Sequence, residues 1–139
     1  MCGIFVIYSK NKSSINFNLA KKSLNLLKKR GPDSMGIFYN ENIFMGSRRL
    51  RITDSSPVSD QPFFSECNNF VITFNGMVYN YHEIRKKLIS KGIKFKTKSD
   101  TEVLLKQYIN DKHFLDQFSG MWAGTIWNKK ENELIVFRD

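Results

Sequence analysis

Met121-Trp122-Ala123-Gly124-Thr125-Ile126-Trp127-Asn128, then Lys129-Lys130-Glu131-Asn132, then Glu133-Leu134-Ile135-Val136-Phe137-Arg138, reads as two strands joined by a short polar turn. A connection that short requires antiparallel pairing, because a parallel return needs a crossover of about a dozen residues or more. Gly36 to Asn40 and Ile43 to Leu50 repeat the arrangement through Asn40-Glu41-Asn42. Upstream, Gly3 to Tyr8 reads as a short buried strand, and Asn69 to Asn75 alternates well enough for another. Asn18 offers an N-cap to a helix from Leu19 through Arg30, with Leu19, Leu24 and Leu27 on one face, and Gly31-Pro32-Asp33 must end it. Tyr81 to Lys91 is a second helix carrying Tyr81, Ile84, Leu88 and Ile89 and stopping at Gly92. Ser99-Asp100-Thr101-Glu102 has the Ser-x-x-Glu pattern of a capping box and starts a third. Thr53 to Pro62, rich in Ser, Asp and Pro, is a loop. About six strands and three helices without βαβ alternation predict an α+β fold with a largely antiparallel sheet.

The 139 residues are 41% hydrophobic and include twelve Phe and two Trp, enough for one domain spanning 1–139 that buries roughly two-thirds of its unfolded surface. A charged fraction of 25% and the absence of low-complexity tracts argue against disorder. The apolar run Ile4 to Tyr8 is interrupted at Lys10 and has no basic region before it, so neither a signal peptide nor a membrane span fits, and a cytoplasmic protein is expected. Two cysteines, Cys2 and Cys67, with only His82 and His113 beside them, offer no disulfide framework and no zinc spacing; no metal is expected. The net charge of +9 would suit nucleic acid, but the basic residues are spread among core positions without a nucleic-acid-binding module. Solvated helix faces account for them, and neither nucleic acid nor membrane is an expected partner.

Cys2 has the most unusual position. Removal of Met1 would leave a cysteine carrying both a thiol and a free α-amine whose reference pKa is about 8, so nucleophile and base would belong to one residue. A thiol attacking an amide also needs donors for the oxyanion, and Asn75-Gly76 at the end of a strand offers a side-chain amide and a backbone N–H; the same dipeptide also reads as an ordinary hairpin turn. Arg49 and Asp100 are each compatible with plain surface charge, yet an amino-acid substrate needs one guanidinium for its carboxylate and one carboxylate for its ammonium. Cys67, in a polar loop without a base nearby in sequence, is read as incidental.

Taken in order, Met1-Cys2-Gly3-Ile4, Arg30-Gly31-Pro32-Asp33, Arg49-Leu50-Arg51-Ile52-Thr53-Asp54, Gln61-Pro62, Phe74-Asn75-Gly76-Met77-Val78-Tyr79-Asn80-Tyr81, Ser99-Asp100-Thr101-Glu102-Val103 and Gly120-Met121-Trp122-Ala123 resemble the class II glutamine amidotransferase domain. This is an N-terminal-nucleophile (Ntn) hydrolase family, and the RLxITD, QP and NGxxYNY pieces are most similar to its glutamine-dependent asparagine synthetase branch. An amidotransferase acting on a sugar or peptide acceptor could share them. The resemblance implies an αββα sandwich with Cys2 as nucleophile and Asn75 with the Gly76 amide as oxyanion hole. It further implies Arg49 on the glutamine carboxylate, main-chain groups near Ile52 and Thr53 lining the pocket, and Asp100 on the ammonium. Arg30 and Asp33 would hold the loop over the site.

Met77 stands where this branch often has Glu, which would leave Asp100 alone with the ammonium, and Lys29 stands where His commonly precedes Arg-Gly-Pro-Asp. The family's glutaminase domain continues through further strands into a synthetase domain that binds ATP, whereas this sequence stops at Arg138-Asp139 without a Ser-Gly-Gly-type pyrophosphate loop. A truncated N-terminal part is therefore expected. Its ligand would be glutamine, its partner a synthetase domain or subunit, and it would hold no cofactor itself, with ATP and Mg confined to the missing domain. Full-length relatives of this kind could form homo-oligomers, and an inactive glutamine-binding domain is the remaining alternative.

Overall fold

The computed structural model describes residues 2–11 and 13–139. Met1, whose removal the chemistry of Cys2 calls for, lies outside them. Among the described residues, seven strands and three α-helices follow in the order β1 (Gly3–Tyr8), α1 (Phe17–Leu26), β2 (Ser34–Tyr39), β3 (Ile43–Arg49), β4 (Phe63–Phe64), β5 (Phe70–Val78), α2 (Tyr81–Ser90), α3 (Asp100–Asn110), β6 (Gly120–Asn128) and β7 (Glu133–Arg138). Short 3₁₀ turns follow α1 and interrupt the 51–62 loop and the segment before β6. All strand pairs are antiparallel, in one sheet of order β1-β3-β2 and another of order β4-β5-β6-β7.

Three apolar layers stack these elements into an α-β-β-α sandwich. Ala20 and Leu24 of α1 pack with Phe44, Phe5, Ile7 and Ile37 on the outer face of the first sheet. Ile43 and Met45 of β3 meet Val71 and Trp127 between the sheets, joined by Val6, Phe38 and Leu134. Ile72, Phe74, Val78 and Ile126 face Ile84, Leu88, Val103, Leu104 and Tyr108 of α2 and α3 on the far side. The strand period of two explains the division: even residues of β5 enter the helix-facing layer, while Val71 enters the layer between the sheets. Among the described residues no helix is long and apolar enough to cross a membrane.

Several boundaries differ from the sequence reading. The first helix begins at Phe17, capped by Asn16, whose Oδ1 accepts from Leu19 N at 3.0 Å, so Asn18 is inside the helix rather than at its cap. With the start two residues earlier, Ala20, Leu24 and Leu27 form the inward stripe and Leu19 is 62% exposed. Ile89 likewise faces solvent. Ser99 caps α3 by accepting from Glu102 N, but the Glu102 carboxylate does not close the box on Ser99: it is buried and accepts from Lys96 N and from both N–H and hydroxyl of Thr97. The two-residue strand β4 has no periodicity to reveal it. The most consequential difference is at Asn75-Gly76. The strand continues through both to Val78 in unbroken register with β6, so the pair is not a hairpin turn.

Candidate active site

The strand alternation that builds the middle layer also aims its ends at one place. Cys2 precedes β1, Arg49 ends β3, Gly76 lies near the end of β5, and Asp100 opens α3. All four line a cavity of about 130 Å³, together with Ile52, Thr53, Gln61 and Thr101. Of the residues the resemblance assigns to direct contact with substrate, Asn75 alone is not part of that wall. It adjoins Gly76, and its Oδ1 is buried with no protein partner.

Cys2 is a half-buried free thiol, with Sγ 3.7 Å from the Leu50 carbonyl. Its own carbonyl accepts from Arg30 Nε at 3.3 Å, so the Gly31-Pro32 turn ties the start of β1 to the end of α1. Asp33 secures the other side of that turn: its N–H donates to the Arg49 carbonyl at 3.0 Å and its Oδ2 accepts from Arg51 N at 2.8 Å. Arg30 and Asp33 thus sit behind the cavity and fix the backbone of Cys2 and of the Arg49–Arg51 strand end.

Arg49 is 4% exposed, and its guanidinium is held by the 54–60 loop. Nη1 donates to Asp60 Oδ1 at 2.7 Å and to the Ser56 carbonyl at 3.4 Å, and Nη2 to the Asp54 carbonyl at 2.7 Å. Arg51 grips the same carboxylate through Nε at 3.1 Å and Nη2 at 2.6 Å. Burial raises the Asp60 carboxyl, but the hydrogen bonds from Arg51 and Arg49 outweigh it and leave the group below its ordinary value. Asp54 bridges the loop to the approach to α3, accepting from Ser56 N and Lys98 N.

Asp100 shows the opposite balance. Burial at 4% exposure pushes its carboxyl above the ordinary range, and the hydrogen bonds from the Val78 and Thr101 backbone and the field of Arg49 only partly offset it. Its Oδ2 lies 3.2 Å from Val78 N and its Oδ1 2.9 Å from Thr101 N.

These contacts explain the exposed amide at Gly76. Antiparallel pairing turns alternate N–H groups of β5 toward β6, and the intervening ones the other way. Phe74 N and Val78 N point away from β6, to Gln61 Oε1 at 2.6 Å and Asp100 Oδ2. Opposite Gly76, the Trp122 carbonyl is taken by Asp139 N rather than by β5. The Gly76 N–H therefore shares the outward edge with its two filled neighbours and opens on the cavity. Its φ of 152°, with a Cβ position only 2.3 Å from the Met121 carbonyl, requires glycine there. Gln61 and Thr101 are cavity residues that the reading of individual side chains missed. Gln61 entered only within the Gln-Pro pair and Thr101 only within Ser99-Asp100-Thr101-Glu102-Val103; the signal at Gln61 was a polar side chain at the end of the Thr53 to Pro62 loop.

The arrangement provides a thiol, an unfilled backbone donor near it, and a cation and an anion on the same wall. A family model described as a glutamine amidotransferase domain matches residues 1–139. Glutamine-hydrolysing asparagine synthetase 1 of Bacillus subtilis (strain 168) is 38% identical over 146 aligned residues that cover 100% of this chain and 22% of that protein. Its counterpart asparagine synthetase 1 from Arabidopsis thaliana is 33% identical over 141, covering 100% and 24%. The solved glutamine phosphoribosylpyrophosphate amidotransferase of B. subtilis, complexed with ADP and GMP, superposes with a TM-score of 0.58 at 26% identity over 69% of this chain and 23% of its own. The chain thus spans less than a quarter of the length of these relatives. With the family model matching from end to end and the two-sheet sandwich in place, the chain belongs to the glutamine amidotransferase domain family.

Proposed function

We propose that this domain hydrolyses the side-chain amide of glutamine, with Cys2 as nucleophile, and releases ammonia for an acceptor reaction carried by polypeptide outside residues 1–139. The observation that carries the reading is the meeting of Cys2, Arg49, Gly76 and Asp100 on one small cavity. With Met1 removed, the α-amine of Cys2 takes the thiol proton and the thiolate adds to the amide carbon. Negative charge moves to the amide oxygen, where the Gly76 N–H and the Asn75 carboxamide stabilise it. Collapse of the adduct, with proton transfer from the ammonium of Cys2, expels ammonia and leaves a thioester. Water then cleaves the thioester, giving glutamate and the free thiol, so the sum is glutamine plus water to glutamate plus ammonia.

Arg49 takes the α-carboxylate and Asp100 the α-ammonium, which fixes the distance of the amide from the thiol. The names of the relatives favour activated aspartate as the ammonia acceptor, and any ATP and Mg used there we assign to the same outside polypeptide. The test is to incubate the purified chain with glutamine and measure ammonia and glutamate. Equimolar products from the parent and none from Cys2→Ala support the reading; turnover by Cys2→Ala within tenfold of the parent contradicts it.

A further inference from the structure

We propose that Gln61 is a positioning residue for amide cleavage, acting through the backbone of β5 to hold the Gly76 N–H toward the cavity; this rests on the hydrolase reading above. Gln61 is 4% exposed and both ends of its carboxamide are used. Oε1 accepts from Phe74 N at 2.6 Å, and Nε2 donates to Thr101 Oγ1 at 3.2 Å, which lies in the first turn of α3. The main chain of the same residue is fixed to the other sheet: its carbonyl packs so closely on Gly36 of β2 that a Cβ there would sit 2.1 Å away. One residue therefore locks the first sheet, the second sheet and α3 together at the cavity wall.

The need for such a lock follows from the register. Strand β4 pairs only Phe63 with Ile72 and Phe64 with Val71, so β5 loses its neighbour on that edge before reaching Phe74. From there the edge N–H groups meet side chains: Gln61 at Phe74 and Asp100 at Val78, with Gly76 between them. Successive N–H groups on one edge are about 7 Å apart, so each clamp acts one repeat from the Gly76 amide. Glycine constrains its own dihedrals least of all residues, and the direction of its N–H is set by what holds the strand on either side. Were a β-strand rather than a side chain to fill this edge, its carbonyls would occupy the Gly76 donor and close the site. A side-chain clamp holds the strand and leaves that one donor open. Asp100 cannot supply this alone, because the same carboxylate is assigned to the substrate ammonium.

A purely structural Gln61 would affect folding and leave the chemistry of each folded molecule intact. The test compares Gln61→Met, which keeps the length and removes both hydrogen bonds, with Thr101→Val, which leaves the bond to Phe74 N but unties the carboxamide from α3. Glutamine hydrolysis is measured per folded molecule, with melting temperature followed alongside and Cys2→Ala as the inactive reference. The expected result is a fall in kcat of about 10- to 100-fold for Gln61→Met, with KM within about threefold. For Thr101→Val a smaller fall of about three- to tenfold is expected, and Thr101→Ser should restore the parent rate. A lowered melting temperature with parental kcat in both variants overturns the proposal while leaving the hydrolase reading intact. If Gln61→Met does not fold, Thr101→Val decides: a parental kcat overturns the proposal and a reduced one supports it. A parent chain with no glutaminase activity overturns the hydrolase reading, and this inference with it.

Discussion

The guanidinium of Arg49 donates to the carboxylate of Asp60 at 2.7 Å from inside the cavity wall, so the residue proposed to receive the substrate carboxylate is already aimed by a carboxylate of its own chain. With its side chain 5% exposed, Arg49 would otherwise be a poorly compensated buried cation. Asp60→Ala should lower stability by about 1 to 3 kcal/mol and raise KM for glutamine, because a charged donor loses its partner and its orientation. Asp60 titrates below its usual 3.8 in the folded chain, so its contribution is complete above the unfolded value and is lost as pH falls through the folded one. Thermal melts of parent and variant should differ at pH 7 and converge in strong acid; a constant gap across that range would contradict the role.

Arg49→Ala removes the guanidinium itself. Glutamine affinity should weaken by about 2 to 4 kcal/mol, because a carboxylate bound in a buried site is left unpaired. Stability should fall as well, since the Asp54 and Ser56 carbonyls and Asp60 all lose a donor. Isothermal titration with glutamine on the folded variant checks the first statement, and unchanged affinity would remove Arg49 from the pocket.

Asp100 predicts a pH dependence of opposite sense to Asp60. Burial raises its carboxyl above 3.8 in the folded chain, so the folded state binds the proton more tightly than the unfolded one. Stability from this group therefore declines as pH rises between the two values. An ammonium ligand favours the ionised carboxylate, so glutamine affinity should climb as pH rises through the folded value of Asp100 and then level off. Asp100→Asn should weaken binding and abolish that acid limb. A limb that survives in Asp100→Asn belongs to another group.

Much of this was legible in the sequence because the relevant signals are local. Gly3–Tyr8 and Glu133–Arg138 are strands at the bounds read from apolar runs and their flanking turns. The motif order carried the family, and Cys2, Arg49, Ile52, Thr53, Gly76 and Asp100 do share one cavity. What escaped depends on contacts distant in sequence. Choosing between Asn16 and Asn18 as cap requires knowing which leucines meet Phe44. The Glu102 carboxylate was expected on its own N-cap, yet it is drawn to the Lys96-Thr97 backbone by the path of the chain entering α3. The function of Gln61 depends on β4 ending after two residues, which no periodicity announces.

The continuation of β5 through Asn75 separates two readings of Asn75→Ala. As a hairpin-turn residue it would govern stability, whereas within a paired strand the β5–β6 register does not depend on its side chain, and the proposed role on the oxyanion can be tested by itself. The expected outcome is a fall in kcat of roughly 10² to 10³ with little change in KM and a small shift in melting temperature. A large loss of stability with parental kcat would overturn that role.

Cys2, freed of Met1, is the proposed nucleophile of a glutamine pocket. A glutamine analogue carrying an electrophilic diazoketone in place of the amide tests this role most directly, read out by intact mass and peptide mapping. Cys67 is an exposed thiol in the same chain and serves as an internal control. The expected result is a single adduct on Cys2 in the Met1-processed protein, none on Cys67, and protection by excess glutamine. Labelling of Cys67 in preference to Cys2, or labelling of Cys2 that glutamine does not slow, would contradict it.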